Sequence, residues 1–363
     1  MEDKMYKING LGSFETLPPE VISVLNSDFD DLQYRIEKRR FNVNKRIAIS
    51  SFNFTLLQIA LRIKNMQMVN WLIEKGAILN DQYDPAIFTA VQFTDMEFTQ
   101  KIIDNGGLCN LSKKQPGEIF SYMHYGENYS MIDLLEENGV TVSKYGGSFF
   151  RQLFLGKDIN MELLTKIYSM GVDINYNCPD AIFLVPITPL MVAIRHKHAQ
   201  AAMWLLDQNA NVMMIGDDGD RAYTIAVENE LTEVAARIKS LEPQEWHDEQ
   251  NKISELRRLE CPRELLDFLR NSALLMTFSE DCPIAYIRFF SLTDTVVTKW
   301  KRKNIVLLSV EVASYGSVRF VWMPKEKKVC AIDMEHDELF PLAPWNDFFK
   351  NAEILIETKI FER

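Results

Sequence analysis

Apolar pairs separated by a few polar residues recur through the first two thirds of the chain. The stretches are 71–80 WLIEKGAILN, 102–110 IIDNGGLCN, 134–143 LLEENGVTVS, 166–175 KIYSMGVDIN and 204–211 WLLDQNAN. Each runs into a Gly or Asn and then a short return. Gly76, Gly106, Gly139 and Gly171 lie 30, 33 and 32 residues apart. Such a residue ends a helix because Gly and Asn enter the left-handed conformation at low cost. Each tail follows a second apolar-periodic stretch, which predicts pairs of antiparallel helices. Residues 17–25 and 30–38 read as a first pair with a return at 42–44. The pattern changes at 241–248 LEPQEWHD, a proline-containing polar boundary. Two short helices follow at 249–260 and 262–271. Strands are then expected at 284–290, 305–312, 317–323 and 329–333, where alternation approaches a period of two. In 317–323, Val318, Phe320 and Trp322 share one face, and Arg319, Val321 and Met323 the other. A closing helix places Trp345, Phe348, Phe349, Ala352 and Ile356 on one side.

The openings of the units carry a second signature. Residues 188–193 read TPLMVA, 55–60 TLLQIA and 221–226 RAYTIA. A threonine caps a helix through its hydroxyl, and a proline fits the first turn because its missing N–H costs nothing there. With the period near 33, these residues resemble the ankyrin repeat. The units at 84–93, 116–123 and 147–155 keep the apolar pattern and lose the TPL element. The resemblance implies an all-α ankyrin-type helical solenoid over 1–242, closed by an N-terminal capping unit. An α+β domain with an antiparallel meander sheet is expected over 243–363.

Charge and cysteine content narrow the function classes. The 363 residues carry a net charge of −11, of which −8 falls in 1–242 and −3 in 243–363. Nucleic-acid binding needs a basic face, so no nucleic-acid partner is expected. An acidic surface suits a basic protein partner, solubility alone being the alternative. No apolar stretch reaches membrane-spanning length, and no membrane association is expected. Five scattered cysteines without a CxxC suggest a reducing cytoplasm and free buried thiols.

Candidate chemistry is sparse. Residues 196–198 HKH place two histidines at i and i+2, a poor metal pair on a helix. Residues 216–220 GDDGD resemble the start of a calcium loop, but the twelfth position, Glu228, falls inside an expected helix. The tip of a repeat hairpin explains the same residues. Residues 333–338 DMEHDE read as a solvated strand–helix connection, with an acidic metal site as the alternative. Residues 299–303 KWKRK read as a solvated loop around a buried Trp300 rather than a nucleic-acid contact. No GxGxxG, GxxxxGK[ST] or GxSxG occurs. No catalytic residue, metal or cofactor is expected, and the chain reads as a non-enzyme.

The later part carries a further resemblance. A helix PRELLDFL (Pro262, Leu265, Leu266, Phe268), a Gly-containing turn before an aromatic strand (Gly316, Phe320, Trp322), and an acidic passage before a helix with Trp345, Phe348 and Phe349 occur in that order. Residues 245–360 thereby resemble the SUKH superfamily. That resemblance implies an immunity protein that neutralises a polymorphic toxin, possibly a nuclease. A general ankyrin adaptor is the alternative. Expected partner-binding residues are the acidic rim Asp333, Glu335, Asp337 and Glu338, the anchors Trp300 and Trp322, the hairpin tip Asp217 and Asp218, and Tyr125 and Tyr145.

Overall fold

The computed structural model describes residues 5–216 and 220–361. Its contacts divide the chain into two compact units. The first is Met1–Leu153 with Asn160–Asp173; the second is Phe154–Ile159 with Ile174–Arg363. The expected change of pattern near 242 therefore falls inside the second unit.

The first unit is built from helix pairs. Pro19–Leu25 precedes Phe29–Arg39, Leu56–Arg62 precedes Met66–Glu74, Ala86–Phe93 precedes Met96–Asp104, and Gln115–Tyr125 precedes Met131–Glu137. First helices of successive pairs pack on one another, as Leu56–Arg62 does on Ala86–Phe93. Gly76, Gly106, Gly139 and Gly171 all have φ between +82° and +89°, so each stands in the left-handed position that the spacing implied. Thr55 accepts from Gln58 N, and Gln58 Oε1 accepts from Thr55 N at 2.9 Å, a reciprocal cap. Two short hairpins, β1 (Tyr6–Ile8) with β2 (Gly12–Phe14) and β3 (Ile47–Ile49) with β4 (Phe52–Phe54), have no counterpart in the sequence reading.

The second unit begins with two more helix pairs. These are Pro189–Arg195 with Ala199–Asp207, and Ala222–Glu228 with Thr232–Leu241. Thr188 accepts from Met191 N at 3.2 Å, and Pro189 opens its helix. Asn209 takes φ +61°, filling the role that glycine has elsewhere. Helices Glu249–Arg258 and Arg263–Leu269 follow, and then the sheets.

Eight strands form the sheets: β5 (Leu275–Thr277), β6 (Tyr286–Phe289), β7 (Val296–Trp300), β8 (Lys303–Leu307), β9 (Ser309–Val312), β10 (Val318–Met323), β11 (Lys328–Asp333) and β12 (Glu338–Ala343). Their orders are β12-β11-β10-β8-β7 and β5-β6-β9. The meander β8-β10-β11 is present, with three corrections. The apolar run 305–312 splits into β8 and β9, which join different sheets. Residues 299–303 form a β7–β8 hairpin whose turn residues Lys301 and Arg302 have positive φ. Residues 333–338 turn from β11 into β12, rather than leading directly to the closing helix.

Both faces of β10 are covered. Val318, Phe320 and Trp322 join a core with Leu265, Leu266, Trp345, Phe348 and Ile356. Val321 and Met323 join Ile305, Cys330 and Ile332 on the opposite face. Trp322 is 2% exposed, and its indole N–H donates to Leu259 O at 3.0 Å. It is a core residue, which overturns its assignment as a partner-binding anchor. Phe349, expected inside the closing helix face, is half exposed and lies against Phe268 and Trp345. Cys109 and Cys178 are exposed, so only Cys261, Cys282 and Cys330 fit the expected buried thiols.

Candidate functional site

Two surfaces of the second unit stand out. The first lies on the return segments beside the helix pair Pro189–Arg195 and Ala199–Asp207. Asn211 N donates to Asn175 Oδ1 at 2.8 Å, which ties the two segments together. Asp180 Oδ1 accepts from Ile182 N and Phe183 N, and this turn presents Ile182, Leu184 and Val185 outward. On the next segment Ile215 bridges to Arg221, and Met213 and Ile215 are likewise exposed. Leu184 is 80% exposed and Ile215 58%. Exposed apolar groups gathered on adjacent loops mark interaction surfaces. Over 174–187 and 208–220 the sequence has four aspartates and no lysine or arginine. Two of these, Asp217 and Asp218, lie outside the described residues.

The second surface is a cleft of about 500 Å³ between the ends of the last two helix pairs and the sheet. Its floor is the apolar face opposite Trp322, with the buried Ile305 and Ile332 and half-buried Leu307 behind it and Trp300 and exposed Met334 at its side. Its charged lining is Arg195, Asp220, Glu228, Lys299 and Arg319. Arg195 Nη2 pairs with Asp220 at 3.1 Å, and Arg319 Nη2 with Glu228 at 3.4 Å. Burial raises the Glu228 carboxyl above its ordinary value, and Arg319 opposes the shift.

A buried polar network lies elsewhere in this unit. Glu242 Oε2 accepts from Arg221 Nη1 at 3.0 Å and meets His247 Nε2 at 2.7 Å. Tyr223 donates to Asp294 Oδ1 at 2.9 Å and packs its ring edge-on against His247. Burial lifts the Glu242 carboxyl to about 7 against the pull of Arg221. It holds the His247 imidazole below its usual value. These groups are enclosed and tie helix Ala222–Glu228 to the segment before β7.

The remaining expected residues fall as follows. Asp333 accepts from Glu335 N and from His336 N and Nδ1, which makes it the cap of the β11–β12 turn. That bond raises the His336 imidazole above its usual value. Asp337 pairs with Lys301 at 2.7 Å, so the acidic turn and the basic hairpin partly neutralise each other. Glu335 and Glu338 are exposed. Trp300 is half-buried at the cleft, with the Lys301 ammonium 4.6 Å from its ring centre. In the first unit Tyr122 stacks on Phe88, Tyr125 is exposed beside it, and half-buried Tyr145 lies under Lys144. The structure thus gathers the rim and Trp300 near one another, and separates them from Trp322. No group of three or more His, Cys, Asp or Glu among the described residues is placed to hold a metal ion. No helix among them is long and apolar enough to cross a membrane.

Sequence reading missed the cleft and the exposed apolar tips. Arg319, a lone charge in the apolar strand VRFVWM, was one signal. The apolar run AIFLVP in a return segment, where polar residues are usual, was the other. In comparisons with known proteins, the ankyrin-repeat family model matches residues 187–217. No curated protein matches the chain. The matched repeat points to protein–protein interaction, and its span includes Met213 and Ile215.

Proposed function

We propose that this chain is a cytoplasmic, non-catalytic binding protein that captures a basic protein partner through the tips at 182–185 and 213–215. The observation that carries this reading is the exposed apolar group Ile182, Leu184, Val185, Met213 and Ile215 beside the matched repeat, in segments without a cation. Apolar anchors supply affinity, and surrounding carboxylates speed encounter with a basic surface. The finer reading is an immunity protein that sequesters a toxin. It is supported by the SUKH-like order of the Pro262 helix, the aromatic strand and the Trp345 helix. A general adaptor is the alternative, and a toxin gene beside this one would favour immunity.

The test uses the partner recovered with the full chain from its native cells. Leu184→Asp combined with Ile215→Asp should weaken binding tenfold or more, chiefly through faster dissociation. Association with the wild-type chain should slow as ionic strength rises. Unchanged affinity in the double variant would refute the surface, and an acidic partner would refute the charge argument.

A further inference from the structure

An edge strand leaves a row of N–H and C=O groups unpaired, and another chain can add a strand to it. The two larger sheets end at β12 and β7 and at β5 and β9. Charge, proline and irregular pairing blunt such edges. β12 carries exposed Glu338 and Pro341 and a register shift against β11. β7 carries exposed Lys299. β9 is held to β10, where Phe320 N donates to Ser309 Oγ at 2.8 Å. β5 has none of these protections. Its register with β6 is regular, and residues 271–279 NSALLMTFS contain no charge and no proline.

The bonds of β5 show which groups lie open. Phe289 N donates to Leu274 O at 2.7 Å, and Phe278 N to Ala285 O at 3.0 Å. Leu274, Met276 and Phe278 therefore turn their backbone groups toward β6, and Leu275 and Thr277 turn theirs away. The N–H and C=O of Leu275 and Thr277 have no hydrogen-bond partner among the described residues. Both residues are exposed, Leu275 to 54%. The occupant that matches this edge is the same edge. A copy related by a two-fold axis at Met276 runs antiparallel, with its Thr277 opposite Leu275 and its Leu275 opposite Thr277. That one register pairs every open group on both strands. It also makes the two exposed Leu275 side chains diagonal neighbours. No like charges meet along 271–279, and an uncharged edge gives a basic or acidic partner nothing to select. We propose that the chain forms a symmetric dimer by β5–β5 pairing, which joins two three-stranded sheets into one of six strands. This contact is independent of the tips at 182–185 and 213–215.

Sedimentation equilibrium of the full chain, kept reduced, tests the proposal at loadings from roughly 1 µM to 1 mM. The mass should rise from one chain toward two across that range. Leu275→Lys should weaken the dimer roughly fivefold or more, because two lysines would become diagonal neighbours. Thr277→Pro, as a second variant, removes an outward N–H that β6 does not use, and should act in the same direction. Directly opposed residues in such a pair have Cα atoms about 4.5 Å apart, within disulfide range. Met276→Cys, oxidised in air, should therefore give a disulfide that mass spectrometry maps to position 276 in both copies. A single-chain mass at every loading, unaltered dimerisation in both edge variants, or no disulfide between the two 276 positions would overturn the proposal. So would a monomer that loses a different protein partner in Leu275→Lys, since the edge would then serve that protein.

Discussion

Glu242 has no exposed side-chain surface and sits between Arg221 and His247. Its second oxygen, Oε1, and His247 Nδ1 are buried without a hydrogen-bond partner among the described residues. Its folded pKa, about 7, lies above the ordinary carboxyl value of 4.5. The stability linked to this group is therefore complete below pH 4.5 and is lost as pH rises through 7. His247 runs the other way, losing its share as pH falls below its usual value. Glu242→Gln isolates the first effect. Between pH 5 and 8 the wild type should lose stability relative to this variant, by an amount on the order of 1 kcal/mol. Parallel urea-derived profiles for the two proteins would show that Glu242 stays ionised throughout. Nothing in the sequence marked this group: Glu242 is one acid at a polar boundary, and the sequence does not show that Arg221 and His247 close on it. Trp322 failed for the same reason, since strand alternation gives its face but not what covers that face.

At the scale of elements, the helix ends were the most legible feature because they depend on local backbone conformation. Gly139 and Gly126 separate two reasons for glycine. Gly139 follows Met131–Glu137 with φ +82°, and an added Cβ would touch nothing within 4 Å. Gly126 follows Gln115–Tyr125 with ordinary φ, but a Cβ there would lie 2.3 Å from Gln92 O. Gly139→Ala should cost about 1 kcal/mol through conformation alone. Gly126→Ala should cost more, because neighbouring helix pairs must separate. Urea melts giving the reverse order would refute this division. Element type was legible for the long apolar-periodic segments. The hairpins of β1–β2 and β3–β4 and the strand β12 were not, because three-residue strands are too short to show a period and ELFPLA is broken by Pro341. The split of 305–312 was also hidden: Leu308 belongs to one apolar run, and only the two sheets make it a corner.

Across the whole chain, sequence reading placed helix pairs first and an antiparallel sheet region after them, and the structure agrees. It placed the change of architecture near 242, where helix Thr232–Leu241 ends the pairs, and the last two helix pairs lie in the same compact unit as the sheet. The reason is visible in named contacts. Glu228 meets Arg319, Glu230 meets Arg288, and Tyr223 meets Asp294. None of these pairs is close in sequence. The acidic balance was legible from composition, but its arrangement was not. The acidic turn at 333–338 is partly neutralised by Lys301, while the apolar tips at 182–185 and 213–215 lie in cation-free segments.

The most direct test of a protein-binding role is photo-crosslinking in the native cell with a benzophenone amino acid at position 184. Position 34, which is exposed on a helix of the first unit, serves as control. A basic protein crosslinked at 184, absent at 34, and lost when Ile215→Asp is added is the expected result. Crosslinks to an acidic protein, equal crosslinking at both positions, or none at 184 would contradict it.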